Sequence, residues 1–269
     1  MTDWLVNGRV NAMVAPDDRG LLYGDGLFET VAFHRGRSAL WPLHMRRLRR
    51  GCAALGLPAP DEELLADECA RLVADAPRAV VRLALTRGRG GRGYFPPRAA
   101  DVTRIVLRRD WPADLEHRRR DGVAMRTSDA RLVAGAGAGL KHANRLAQVQ
   151  IARELADAGA DEALVRDPEG WMVEGLNANL VVVRAGRLLA PGPHPAAVAG
   201  VGLAWLRRRA GADLSERPMR ADELEPGDSI WVINSVTGPL PARCLDGRPL
   251  PRDAAIGGWQ SAWRDEIES

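Results

Sequence analysis

A mixed α/β (α+β) fold in two domains is what this sequence predicts, on three observations. Apolar residues recur with strand spacing in some segments and helix spacing in others, in mixed order. The 269 residues are enough for one large core or two smaller ones. A polar run, RDWPADLEHRRRDG at 109–122, carries no long apolar stretch and reads as a connection between domains. The expected division is residues 1–112, a connection at 113–122, and residues 123–269.

The elements follow in chain order. Trp4-Leu5-Val6 and Arg9-Val10 flank Asn7-Gly8, a dipeptide suited to a tight hairpin turn. The run LLYGDGLFETVAFHRGR sets strand-like apolar residues at Phe28, Val31 and Phe33 and closes at a His-Arg-Gly turn. Pro42 to Gly56 reads as a helix, with Pro near its start and Leu48, Cys52 and Leu55 at three- and four-residue spacing. Asp61 to Val73 is a second helix, with Asp61 as its N-cap. Residues 79–87 and 102–109 are strands on either side of the loop GRGGRGYFPP. Beyond the connection, VAMRTS is a strand and GAGAG at 135–139 a flexible link. His142 to Ala158 reads as a helix that buries Leu146, Val149, Ala152 and Leu155. DEALVRD and WMVEG form a hairpin around Asp167-Pro168-Glu169-Gly170, and NLVVVRAGRLLAP forms another around Ala185-Gly186. Gly202 to Ala210 is a helix, and SIWVINS is a buried strand.

Composition narrows the function classes. Hydrophobic residues at 46% and charged residues at 27% suit an ordinary folded protein. A net charge of only +3 argues weakly for nucleic acid as a partner. Cys52, Cys69 and Cys244 show no CxxC spacing and no nearby His pair, so no metal site is expected and the thiols read as reduced. The N-terminus lacks a signal pattern, and no apolar run is long enough to cross a bilayer. A cytoplasmic protein acting on a small molecule, without membrane or nucleic-acid partners, is the expectation.

The sharpest chemical signal is a count. Lys and Arg together number 38, and Lys141 is the only lysine. A surface charge drifts from Lys to Arg at little cost, whereas a position that needs a primary amine cannot. Lys141 follows a Gly-rich run and is expected at a helix start, where desolvation and the helix dipole lower an amine pKa from about 10.4. A neutral amine can bond an aldehyde or act as a base, and Arg can do neither. The alternative from the residues alone is a leftover surface charge. Glu174 closes the apolar strand WMVE, where a carboxylate is costly unless paired, for instance with a protonated ring nitrogen, or unless it is exposed. Arg46, Arg47, Arg49 and Arg50 lie on one predicted helix. Most of them must be solvated, and one can bind a phosphate. Gly200 and Gly202 mark a helix start whose free N–H groups suit an anion, and Ser235 ends a buried strand where its hydroxyl can serve the same anion. The loop TRGRGGRGYF reads as a flexible hairpin, a lid offering Arg to a carboxylate, a phosphate cradle without the GK[ST] ending of a P-loop, or an RNA-binding box.

Together the stretches DDRGLLYGDGLFET, HMRRL, TRGRGGRGY, GLKHANRLAQV, DEALVRDPEGWMVEGLNANL, AGVGLAWL and INSVTGPLP resemble the class IV, fold-type IV pyridoxal-phosphate enzymes. That family includes branched-chain and D-amino-acid transaminases and 4-amino-4-deoxychorismate lyases. The resemblance covers nearly the whole chain. GDGLFET ending in Thr30, the RGxGGRGY loop and KHxNRL are most similar to the lyases, with the transaminases as the alternative and a non-enzymatic RNA-binding protein as a third reading. Ala143 stands where Leu is common in the lyases, and Gly202 where a larger residue often begins the phosphate-binding helix.

The resemblance implies a small N-terminal α/β domain, a larger C-terminal domain, pyridoxal 5'-phosphate between them, and a homodimer. It implies that Lys141 bonds the cofactor aldehyde and that Glu174 pairs with the ring nitrogen, supported by Asn179. Arg47, the N–H groups of Val201 and Gly202, and the Ser235 hydroxyl would hold the phosphate. Thr30, Arg92 and Tyr94 would face substrate. The implied reaction converts aminodeoxychorismate to 4-aminobenzoate and pyruvate, a step of folate synthesis, with Lys141 moving the proton.

Overall fold

The computed structural model describes residues 3–135 and 137–268. They divide into two compact units. The first comprises Met1–Trp111, Leu140–Asn144 and Ile267–Ser269, and the second Pro112–Gly139 and Arg145–Glu266.

In the first unit, β1 (Trp4–Val6) and β2 (Arg9–Val10) form the expected hairpin. Asn7 and Gly8 both take left-handed angles, φ 48° and 74°. The short α1 (Arg19–Tyr23) leads into β3 (Gly26–His34). Next come α2 (Trp41–Leu55), α3 (Glu62–Val73), β4 (Arg78–Thr86) and β5 (Thr103–Arg109). Asp61 caps α3 by accepting from Leu64 N at 3.0 Å, and Gly56 ends α2 in the left-handed conformation. Among the described residues these strands form an antiparallel sheet in the order β2-β1-β5-β4-β3. One face of β3 presents Leu27, Val31 and Phe33 to a core shared with Met45, Leu48 and Cys52 of α2 and Leu65, Cys69 and Leu72 of α3. Each of the fully buried leucines among them stabilises the unit by roughly 1.5–3 kcal/mol.

The open edge of β3 is covered by the segment Leu140–Asn144. Phe28 N donates to Lys141 O and Ala143 N to Gly26 O, both at 2.9 Å, and Leu27 bridges His142. Leu140 joins the core of this unit. These bonds correct the expected helix at His142. The segment's backbone groups serve β3, so the helix begins only at Leu146. The helix dipole, which falls off within one turn, therefore does not act on Lys141.

In the second unit, α4 (Leu115–Asp121) lies within the stretch that the polar pattern suggested was a connection. It is polar except at the buried Leu115, and the buried Arg119 donates to Thr237 O at 3.1 Å. Then come β6 (Val123–Arg131), α5 (Leu146–Ala158), β7 (Glu162–Arg166), β8 (Met172–Glu174), β9 (Asn179–Arg184) and β10 (Arg187–Pro191). They are followed by α6 (Val201–Ala210), β11 (Leu214–Arg217), β12 (Ser229–Asn234), β13 (Gly238–Leu245), β14 (Arg248–Pro249) and α7 (Ile256–Trp263). Among the described residues the sheet runs β11-β10-β9-β12-β13-β6-β7-β8, with β14 beside β13. The pairs β6–β7, β6–β13 and β10–β11 are parallel, and the rest antiparallel.

The buried face of α5 also differs from the expectation. Ile151 and Leu155 pack on Ala163 and Val165 of β7, while Leu146 and Val149 are 72% and 54% exposed. Ala152 is exposed as well. The helix is apolar over more than one stripe, and only the contact with the sheet decides which stripe is covered. The expected flexible link at 135–139 includes Ala136, which lies outside the described residues.

Candidate active site

In the first unit the candidate site is built on β3. Leu27, Val31 and Phe33 face the core, and strand alternation puts Glu29 on the same face. A carboxylate there is 1% exposed and must be paired. Its partners come from α2, where His44 and Arg47 stand three residues apart on one helix face. Arg47 Nε donates to Glu29 Oε1 at 2.8 Å, and its Nη2 also reaches Glu29 Oε2. His44 Nδ1 is 2.6 Å from the same Oε2. Burial pushes the Glu29 carboxyl up, but the Arg47 hydrogen bond and charge, helped by His44, outweigh it and bring the pKa down from 4.5 to about 2. Burial lowers the His44 pKa, and the nearby charges of Arg47 and Lys141 act in the same direction, against an opposing pull from Glu29. His44 is therefore a neutral ring that donates from Nδ1 to an ionised Glu29.

The opposite face of β3 carries Phe28 and Thr30. The Lys141 Nζ lies 4.5 Å from the centroid of the Phe28 ring, and the Arg82 guanidinium 3.8 Å from it. The Lys141 backbone is fastened to β3 at Phe28, and the neighbouring Asn144 Nδ2 donates to Gly24 O at 3.1 Å. Thr30 is half-buried two residues along the same face.

Arg92 and Tyr94 lie on the loop between β4 and β5. The loop tip is closed by reciprocal backbone bonds between Arg92 and Phe95, both 3.1 Å. The buried Arg19 anchors it, donating to Gly93 O at 2.9 Å and Tyr94 O at 3.2 Å while its Nε meets Asp25 at 3.1 Å. Tyr94 is 86% exposed and its ring contacts Tyr23 at 5.5 Å. Arg87 bonds Asp25, Leu55 O and Gly56 O, and Arg89 pairs with Asp17. Two arginines of the supposed RNA-binding box thus already have protein partners.

The second unit brings together Glu174, Asn179, Val201, Gly202 and Ser235. Glu174 ends β8 at 5% exposure, so the carboxylate is buried, and Val198 N donates to its Oε2 at 2.8 Å. Asn179 Nδ2 donates to Val198 O at 3.1 Å. One peptide residue therefore orients both side chains. Helix α6 starts at Gly200 with no side chain capping it, which leaves the N–H groups of its first turn available to an anion. A Cβ on Gly200 would lie 1.7 Å from Asn179 Oδ1, and one on Gly202 would lie 2.7 Å from the Asn234 carbonyl carbon. Gly202 is thus required by the close approach of α6 to the end of β12, and this approach sets the following Ser235 beside the helix start. The Asn234 side chain accepts from Val236 N and Thr237 N at 2.9 Å, which shapes that turn.

Glu29, His44 and Val198 were not among the residues that the sequence pointed to. Glu29 had a readable signal. A carboxylate inside GLFETVAF raises the question of a buried partner that Glu174 raised in WMVE. Val198 acts through its backbone, which no side-chain pattern reports.

The amino-transferase class IV family matches residues 26–244. An aminodeoxychorismate lyase from Vibrio harveyi is 27% identical over 94% of this chain and 94% of its own. A bifunctional aminodeoxychorismate lyase / D-amino acid transaminase from Mycobacterium tuberculosis is 30% identical over 88% of this chain and 87% of its own. Among solved structures, a 4-amino-4-deoxychorismate lyase from Pseudomonas aeruginosa is 38% identical, with a TM-score of 0.91 over 99% of this chain and 100% of that one. A hypothetical aminotransferase from M. tuberculosis in its PLP-bound form is 26% identical, with a TM-score of 0.82 over 98% of each chain.

Proposed function

The chain belongs to the amino-transferase class IV family, and on that premise we propose that it is a pyridoxal-phosphate-dependent lyase converting aminodeoxychorismate to 4-aminobenzoate and pyruvate. The full-length likeness to the P. aeruginosa lyase favours this reaction over transamination. The observation that carries the enzymatic reading is the setting of Lys141. The only amine side chain in a chain with 38 Lys and Arg residues is held by its backbone to β3 and lies over Phe28.

The residues present suit the cofactor. The uncapped start of α6 suits the phosphate, and Gly200 and Gly202 let that start pack against Asn179 and Asn234. Ser235 would add its hydroxyl there, and Arg47, whose guanidinium Glu29 holds in one orientation, is the arginine that the family resemblance assigns to the phosphate. Glu174 would keep the ring nitrogen protonated, with Val198 N aiming its carboxylate. When bound, pyridoxal phosphate supplies an electron sink conjugated to the amine-bearing carbon of the substrate.

The chain's own work is proton movement and orientation. Lys141 Nζ takes the proton from the amine-bearing ring carbon and returns it to the departing enolpyruvyl group, which leaves as pyruvate. Loss of that group makes the remaining ring aromatic. Arg92 is assigned to a substrate carboxylate, and Thr30 and Tyr94 are proposed to face the substrate as well.

A second activity, D-amino-acid transamination, is favoured by the bifunctional M. tuberculosis relative. It differs only in where Lys141 delivers its proton. A homodimer is supported by Leu21, Leu22, Tyr94 and Phe95 of the first unit, large apolar side chains that are 53–86% exposed in a single chain. The product places the reaction in folate synthesis, and three free cysteines suit a reducing cytoplasm. Among the described residues no helix is long and apolar enough to cross a membrane.

The test supplies aminodeoxychorismate with pyridoxal phosphate and measures pyruvate and 4-aminobenzoate. D-alanine or leucine with 2-oxoglutarate is run in parallel. Turnover only in the parallel assay would replace the lyase reading with the transaminase one.

A further inference from the structure

We propose that His194 is a positioning residue for Glu174, acting through the segment 192–200. The proposal deepens the cofactor reading and rests on it for the role of Glu174.

Both ring nitrogens of His194 are engaged. Nε2 is 3.1 Å from Asp167 Oδ2. The other oxygen of Asp167 accepts from Glu169 N at 3.0 Å and Trp171 N at 2.8 Å. Nδ1 lies 3.1 Å from Ala196 N, which can only donate. Nδ1 is therefore the bare nitrogen, and Nε2–H is the donor to Asp167. The two partners select one tautomer and one ring orientation. The pair is largely buried, with side chains 14% and 13% exposed.

The ring pins the segment in the middle. Ala197 N returns to His194 O at 3.0 Å, closing a turn. The next residue is Val198, whose N–H meets Glu174 and whose carbonyl receives Asn179. Pro195 O also accepts from Gly139 N at 3.0 Å, two residues before Lys141 in the chain. The segment ends at Gly200, where α6 begins. One short loop thus carries the aim of Glu174, the seat of Asn179 and the entry to the phosphate helix. Within this loop the only side chain bonded to a distant element is that of His194, among the hydrogen bonds described.

Three substitutions separate the two nitrogens. His194→Asn keeps an acceptor near the Nδ1 position and loses Asp167. His194→Gln reaches Asp167 and loses Ala196. His194→Ala loses both. The first measurement is amide hydrogen exchange at Val198 in the protein without pyridoxal phosphate. Loss of the tie to Asp167 is expected to speed exchange about tenfold in His194→Ala and His194→Asn, with His194→Gln, which keeps that tie, close to wild type. The second is titration with pyridoxal phosphate, read by absorbance. The pH midpoint of the bound cofactor's visible band is expected to move in His194→Ala and to return in His194→Gln, a change that a general loss of stability does not produce. Unchanged Val198 exchange in His194→Ala overturns the proposal, as does a shifted band that His194→Gln fails to restore. Failure of the wild-type protein to bind pyridoxal phosphate would overturn the cofactor reading and, with it, the assigned role of Glu174. The exchange comparison reads the loop independently of the cofactor.

Discussion

The guanidinium of Arg47, the arginine proposed for the cofactor phosphate, is forked onto the buried carboxylate of Glu29, which fixes its orientation. Two features of β3 and α2 create this pair. Strand alternation turns Glu29 into the core, and helix spacing sets His44 and Arg47 above it. Glu29→Gln keeps the shape and removes the charge. It is expected to destabilise the first unit by about 3–5 kcal/mol, because a buried guanidinium loses its counter-ion. Urea unfolding would measure this, and titration with pyridoxal phosphate would show weakened binding.

The same cluster makes stability sensitive to acid. The folded His44 pKa lies below its usual 6.5, so the unfolded chain takes up a proton that the folded one refuses. This contribution is present above pH 6.5 and is lost as the pH falls below it. Glu29 is depressed from 4.5 to about 2, so its contribution is present above pH 4.5 and is lost as the pH falls toward 2. The Glu29 part is on the order of 3 kcal/mol. Unfolding free energies measured from pH 7 to pH 3 should fall in two stages, and Glu29→Gln should shrink the lower one, which Asp25, Asp167 and Asp228 share.

Lys141→Arg tests the demand for a primary amine. Arg can keep a cation over the Phe28 ring, and the backbone bonds to β3 do not involve the side chain. The variant is expected to fold like the wild type. It should lose turnover by at least about 10³-fold, together with the lysine-dependent visible band of the loaded protein. An active Lys141→Arg protein would sink the mechanism.

Gly202→Ala tests the proposed phosphate site at the start of α6. Its Cβ would meet the Asn234 backbone at 2.7 Å, and a backbone cannot rotate away as a side chain can. The start of α6 must back off from β12, at a cost of about 1–3 kcal/mol. Affinity for pyridoxal phosphate should fall further than stability does, as titration and thermal melting together would show.

The three thiols should separate by environment. Burial raises Cys52 to about 11, and burial with the neighbouring Glu68 charge raises Cys69 to about 12. Both are expected to resist a thiol reagent at pH 8 until the chain unfolds. Cys244 is only partly buried and should react first. Counting labelled thiols against time by mass spectrometry checks this order.

Much of the fold was legible along the chain because its signals are local. The Asn7-Gly8 turn, the Asp61 cap, the Gly56 stop and the hairpin at Ala185-Gly186 all depend on a residue's own backbone angles or on a partner within a few positions. The segment Leu140–Asn144 was read differently. Its sequence suits a helix start, but its hydrogen bonds go to β3, more than a hundred residues earlier in the chain. The covered stripe of α5 and the helix inside 109–122 were also decided by contacts distant in sequence.

The sequence by itself determined the alternation of strands and helices, the placing of its single lysine at Lys141 and the presence of a carboxylate at the end of WMVE. Each of these is a property of residue type and spacing. Only the tertiary structure decided that Glu29 and His44 stand with Arg47, that Gly202 must lack a Cβ, and that Val198 aims Glu174. Those relationships join residues across elements, and two are made by backbone atoms that every residue type carries. A sequence specifies such contacts only through the whole fold, because buried polar groups must find partners wherever packing brings them.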